Sequence, residues 1–258
     1  MPPKTPPNKD KTLEDLLRRG DVWRGHSQYF TRQLSCSSGY EELDKALLNN
    51  GWPLGAMIEV GLPVLEGFCE WHLLLPVIQG LKADCLVLLN PPALPFAHRL
   101  IQMGVDLDRL LVVHAHNKAD FLSGFIELSQ SPSCALLLAW QPKQALSYTE
   151  LRKCLLASAD NSAMQILFRH QRSLQNSSPA ALRLLCSWQS AHLQVSITKQ
   201  KGLLLKQHNH IQIPLPESWP KPEEFQNIPE PQRARAGATV INFKRSRAST
   251  HSTFTKPR

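Results

Sequence analysis

The chain has 258 residues, 42% of them hydrophobic and 19% charged, with 29 Lys and Arg against 21 Asp and Glu for a formal charge of +8 and a pI near 9.3. That is room for one full domain with appendages at an ordinary globular balance, and no run of about 18 apolar residues is present to span a bilayer. The six cysteines (Cys36, Cys69, Cys85, Cys134, Cys154 and Cys186) form no C-x-x-C pair, which argues against a zinc site or a disulfide framework and for reduced, mostly buried thiols.

The opening MPPKTPPNKDKT has lysines but no apolar stretch behind them, so a secretory signal is not expected and a cytoplasmic location is. Residues 1–11 are expected to be disordered. Thr12 reads as the N-cap of a short helix carrying Leu13, Leu16 and Leu17, with Asp15 in the capping-box position. Trp23, Tyr29 and Phe30 are too apolar for a free linker, so this segment either packs on the core or meets a partner. Residues 1–30 therefore form a disordered start, a short helix and a docking segment.

A helix over 40–48 puts Leu43, Ala46 and Leu47 on one face and stops at Asn49-Asn50-Gly51. A turn at 52–55 leads into a strand over 56–60. Gly61 opens a glycine-flanked loop that Gly67 closes, before a helix over 68–81 that Pro76 should kink or shorten. Strands then alternate with helices of about a dozen residues. Strands are predicted at 84–89, 110–113, 134–139 and 165–169, with helices at 95–103, 118–130 and 149–159, the last capped by Thr149. Unalternating runs such as CLVLL and CALLLA read as buried parallel strands. Between Leu182 and Ile213 the pattern changes to period two, at 182–188, 193–197 and 203–205, which predicts antiparallel strands added at the sheet edge. Prolines crowd after Pro214, so the domain is placed at 31–215 and a Pro-rich, then basic, flexible tail at 216–258.

Seven basic residues and no acid follow Gln232, so the folded part is nearly neutral and any attraction to nucleic-acid phosphates comes mainly from the tail. Within that tail, ATVINF at 238–243 combines β-branched and aromatic residues in a basic setting. Such a peptide either adds a strand to a partner's sheet, with Val240, Ile241 and Phe243 as contacts and Lys244 and Arg245 beside them, or docks on the open edge of its own domain. His114 with His116 and His208 with His210 lack a third ligand nearby and read as surface histidines, so no metal site is expected. Asp106, Asp108 and Arg109 read as a turn that ties itself together. Lys199, Lys201 and Lys206 border the late strands, mostly as their solvated side.

The order of these pieces resembles the RecA core. Leu43-Asp44, the GWPLG of residues 51–55, Glu59 and the GVDLDRL of residues 104–110 match words that run through the ATP site of RecA-type recombinases. The VWRG at 22–25, GWPLGAMIEV, NPPALPFA and the stretch from AALRLL to TKQKG are similar, more closely, to the ImuA family, RecA-like accessory proteins of bacterial mutagenic translesion synthesis. The likeness spans residues 20 to about 215, and it implies an α/β fold with a RecA-like, mainly parallel sheet and antiparallel strands at its C-terminal edge.

Matched position by position, the loop lysine falls at or beside Phe68 and the metal-binding hydroxyl at Cys69. The water-activating glutamate falls at about Pro91, and the aspartate that holds Mg²⁺ through water at Trp140. A ring cannot offset phosphate charge and a thiol is a poor ligand for that hard cation, so the loop Gly61, Gly67, Phe68, Cys69 reads as degenerate, with no cofactor and no hydrolysis expected. By the resemblance, the chain works in the SOS response to DNA damage and is nucleoid-associated under damage. Its implied partners are an inactive Y-family polymerase-like accessory protein, an error-prone replicative-type DNA polymerase and RecA itself. A SulA-like inhibitor of cell division, a weak DNA-dependent ATPase using a displaced lysine such as Lys82, and a plain DNA-binding module are the alternative readings.

Overall fold

The computed structural model describes residues 34–63, 69–81, 85–102, 104–189, 192–202, 210–215 and the backbone of 239–243. Its elements in chain order are β1 (Ser35–Cys36), α1 (Glu41–Ala46), β2 (Trp52–Pro53), β3 (Ala56–Leu62), α2 (Cys69–Gly80), β4 (Cys85–Leu89), α3 (Ala97–Gln102) and β5 (Leu110–Ala115). They continue as α4 (Lys118–Gln130), β6 (Cys134–Trp140), α5 (Tyr148–Ser158), β7 (Met164–His170), β8 (Leu182–Gln189), β9 (His192–Gln200), β10 (His210–Pro214) and β11 (Thr239–Phe243). No described helix is long and apolar enough to cross a membrane.

Nine strands form one sheet in the order β10-β9-β8-β3-β7-β6-β4-β5-β11, and β1 pairs with β2 in a separate ribbon. From β8 through β11 every pairing is parallel, while β9 and β10 enter antiparallel. The predicted α/β architecture with a mainly parallel sheet and antiparallel strands at one edge is present. One detail differs: β8 was expected antiparallel, but it lies parallel to β3 and only its far side pairs antiparallel with β9. Alternation reveals how many faces a strand buries, not which way it runs. The next described strand after β9 is β10, and the strand predicted at 203–205 lies outside the described residues.

The continuous apolar runs are explained by helices on both faces. On one face Ile58, Val60 and Leu62 of β3, Leu86 and Leu88 of β4, and Leu136 and Leu138 of β6 pack with Leu43 of α1, Leu73, Leu74 and Ile78 of α2 and Leu100 of α3. On the other, Met57, Val87, Leu89, Leu137 and Leu167 pack with Phe121 and Phe125 of α4 and Leu151 and Cys154 of α5. The cap of helix α5 lies two residues before the predicted Thr149. Ser147 is the N-cap, and its hydroxyl and the Glu150 carboxylate close a reciprocal capping box.

Helix α2 runs through Pro76 for twelve residues, although a proline there removes the N–H that the carbonyl of His72 would accept. The loss is made good from outside the helix, where the Tyr40 hydroxyl donates to His72 O at 2.5 Å. Gly39, at φ +80, lies so close to Pro76 that a Cβ would stand 2.2 Å from the proline Cβ. The SGY word before α1 is therefore shaped to receive a proline-bearing helix. Trp188 stacks on the His72 ring at 6.0 Å, and His72 Nε2 lies 3.0 Å from Pro214 O, joining β8 and β10 to the same spot.

Candidate functional site

The chain leaves β3 and enters β4 across two intervening strands, then returns through β7 to β8 on the opposite side of β3. In open α/β sheets a crevice beyond the carboxyl ends of the strands at such a reversal is where ligands bind. The positions matched to a nucleotide site in the sequence fall around these ends.

Trp140 closes β6 and is 2% exposed. Its ring lies 4.9 Å from that of Phe168 on β7, and its carbonyl accepts from Asn90 Nδ2 at 3.2 Å, so the ends of β4, β6 and β7 are laced together. Asn90 itself takes φ +56 and precedes a buried Pro91. Cys69 and Glu70 begin α2, and both are buried. Burial pushes the Cys69 thiol up to about 12, with Glu70 beside it adding to the rise. Burial likewise raises the Glu70 carboxyl to about 8. The Trp140 indole faces that carboxyl and offsets part of the rise, without closing a full hydrogen bond: Glu70 Oε2 and Trp140 Nε1 both lack a partner among the described residues.

An indole packed on a phenyl ring, a buried thiol and a carboxyl that burial raises to about 8 do not suit a triphosphate and Mg²⁺, which call for cations and ionised oxygens. These residues do not fit the nucleotide that the RecA likeness would bring.

Gly61 also has a different part from the one its sequence context implies. It was expected to open the loop, but it is the sixth residue of β3, and a Cβ there would lie 2.4 Å from Leu174 Cδ1 in the short 3-10 helix Gln171–Gln175. The glycine admits that helix onto the sheet rather than a phosphate. Gly67 and Phe68 lie outside the described residues, as do Trp23, Tyr29, Lys244 and Arg245. Trp71, on the first turn of α2, packs partly buried against the core.

Beneath the same 3-10 helix lies a cluster the sequence reading did not assemble. Glu59 is fully buried on β3. Its Oε1 accepts from Arg169 at 3.2 Å and from the Ser178 hydroxyl at 2.6 Å, and its Oε2 from Arg183 Nε at 2.9 Å. Arg169 Nε donates on to Gln141 Oε1 at 2.7 Å, and Lys199 Nζ donates to Ser178 O at 2.7 Å. Burial lowers Arg169 from its ordinary range and Glu59 opposes the shift, while for Lys199 burial and the nearby Arg183 act in the same direction. Every partner is supplied from within, so the cluster fastens β3, β7 and β8 together instead of offering groups to a ligand. The one available signal was Glu59 inside an otherwise apolar strand, since a buried acid demands cations from elsewhere.

The remaining candidates are dispersed. Asp106 accepts from Asp108 N and pairs with Arg109 at 3.1 Å, as the turn reading expected. His210 meets Ser196 and Gln194, and no group of three metal-ligating side chains occurs among the described residues. A cleft of about 410 Å³ is lined by Ser37, Gly39, Glu41, Asp44, Lys45 and Asn50. Val240, Ile241 and Phe243 lie on β11, which pairs in parallel with β5, Thr239 opposite Leu111 and Phe243 opposite Ala115. Of the two placements weighed for this segment, the structure has it on the chain's own sheet edge.

No family model and no curated protein matches this chain. Among solved structures it is similar to SulA from Pseudomonas aeruginosa, at 24% identity and a TM-score of 0.37, over 44% of this chain and 97% of that one.

Proposed function

We propose that this chain is a non-catalytic adaptor of SOS-induced mutagenic translesion DNA synthesis, the role implied by its resemblance to the ImuA family. The observation that carries the proposal is the Trp140 and Glu70 contact at the strand ends. The position matched to a Mg²⁺-holding aspartate is an indole packed on Phe168 and facing a buried carboxyl. A sheet whose strand ends are filled by its own side chains retains its surfaces for protein contacts and gives up nucleotide chemistry.

In this reading the RecA-like sheet supplies a docking face. The chain's two extremities reach the partners, through Trp23 and Tyr29 in one and, once 239–243 leaves the edge of β5, through 238–243 with Lys244 and Arg245 in the other. The partners are a Y-family polymerase-like accessory protein and an error-prone replicative-type polymerase, with RecA as a further contact and DNA touched by the basic tail. Co-purification with the polymerase-like partner tests the proposal. Removing residues 232–258 should weaken capture, and undiminished capture would eliminate that extremity as a contact. Filamentation on overproduction without DNA damage would instead favour the division-inhibitor reading.

A further inference from the structure

The sheet edge at β5 supports an inference that goes beyond the adaptor reading and does not depend on it. Strand β5 has β4 on one side and β11 on the other, so without β11 its outer side would present an unpaired row of backbone donors and acceptors along LLVVHA. Five residues cover that row, Thr239–Phe243, in continuous parallel register from Leu111 to Ala115. This cover differs from every other strand of the sheet in how it is attached. Residues 215–238 separate it from β10, which is the opposite edge of the same nine-stranded sheet.

The distance to be bridged follows from the strand order. Eight steps of about 4.8 Å place the two edges roughly 40 Å apart. The 24 peptide links from Leu215 to Thr239 reach at most about 80 Å. The connection is therefore long enough to let the strand return in cis, with about twice the reach the crossing needs. A tether of this kind supplies an effective concentration of about 1 mM or less. Parallel pairing is the slightly weaker kind per residue, and five residues make a short ladder. Every feature is that of a strand held by its tether as much as by its contacts.

We propose that the outer edge of β5 is a strand-binding site of the β-augmentation kind, and that residues 239–243 are its resident occupant, held in cis and exchangeable for an extended peptide of the same pattern. Main-chain hydrogen bonds to Leu110–Ala115 give such a site its affinity, and the pleat gives its register. While the resident strand is in place, edge and strand mask one another. When it leaves, one molecule presents both a strand to donate and an edge to fill.

The test uses the full chain and a fluorescein-labelled peptide of residues 237–245. In the variant carrying Val240→Pro and Ile241→Pro, the resident strand loses the ladder N–H that faces β5, whichever of the two supplies it. Peptide anisotropy should then show binding to the variant at least about tenfold tighter than to the unaltered chain, whose edge is already filled at the tether's effective concentration. Hydrogen exchange at residues 110–115 should quicken in the variant and slow again when peptide is added. A variant with Val240→Gly and Ile241→Gly should behave likewise, and unchanged exchange in β3 and β6 reports that the core is intact. Equal binding to variant and unaltered chain, binding to neither, or β5 amides as protected in both variants as in the unaltered chain would each overturn the proposal.

Discussion

The contact between Tyr40 and the interior of α2 makes a prediction that a double-mutant cycle isolates. Pro76 leaves the carbonyl of His72 without its helical donor, and Tyr40 Oη takes that place at 2.5 Å, with His72 itself 1% exposed. Tyr40→Phe keeps the ring and removes only the hydroxyl, so the buried carbonyl loses the hydrogen bond it accepts from Tyr40, at a cost of about 1–3 kcal/mol. In a Pro76→Ala background the restored amide of residue 76 can reach His72 O along the helix. Tyr40→Phe should then cost under about 0.5 kcal/mol, leaving a coupling energy on the order of 1–2 kcal/mol between residues that share no hydrogen bond. Urea unfolding followed by far-UV circular dichroism on the four proteins measures each term, with unchanged slopes confirming that the unfolded state is comparable. Equal costs of Tyr40→Phe in the two backgrounds would refute the idea that the SGY word exists to complete a proline-broken helix.

Other expectations rest on the buried polar groups and on Gly61. Glu59→Ala would strand two nearly buried guanidinium groups and should cost roughly 3–5 kcal/mol in urea unfolding, whereas replacing Glu59, Arg169 and Arg183 together by Met should be far milder. A loss below about 1 kcal/mol for the single variant would show that the cluster is not what ties β3 to β7 and β8. Because burial raises Glu70 from 4.5 to about 8, its proton favours the fold. The stability it contributes is complete below pH 4.5 and is lost as pH rises to about 8. Unfolding free energy should therefore fall with pH across that window by up to about 1.4 kcal/mol per unit, relative to a Glu70→Gln variant; identical pH profiles would remove the buried neutral acid from the account. Gly61→Ala brings a methyl to 2.4 Å from Leu174 Cδ1 and should destabilise by about 1–3 kcal/mol, with Leu174→Ala restoring much of the loss. Full stability of Gly61→Ala alone would contradict the close packing.

Much of the frame was legible because burial leaves its mark on composition. CLVLL and CALLLA have no polar face and could only be strands covered on both sides, and they are β4 and β6. The helix over 118–130 was found to the residue, since Asn117 caps it and its apolar positions repeat at helical spacing. What a single chain position cannot reveal is who its neighbours are. β8 alternates like an edge strand, yet its parallel partner β3 lies more than a hundred residues earlier in sequence. Pro76 predicted a kinked or shortened helix because the compensating hydroxyl is on Tyr40, outside the helix. Glu70 drew no notice beside Cys69, for nothing local says that Trp140 and the end of β6 close over it. Gly61 was assigned to a loop because glycine next to a strand end has two uses, conformational freedom and close approach, and only the position of Leu174 distinguishes them.

The central claim is that the carboxyl ends of β3, β4, β6 and β7 are filled by the protein's own side chains and serve no nucleotide chemistry. Incubating the purified full chain with Mg²⁺, ATP and single-stranded DNA, and measuring phosphate release, tests it most directly. The account predicts release no faster than the protein-free control, both for the chain as it stands and for Trp140→Asp, in which one carboxylate returns without the cation clamp it would need. Turnover above the control that a Gly67 substitution abolishes would contradict it.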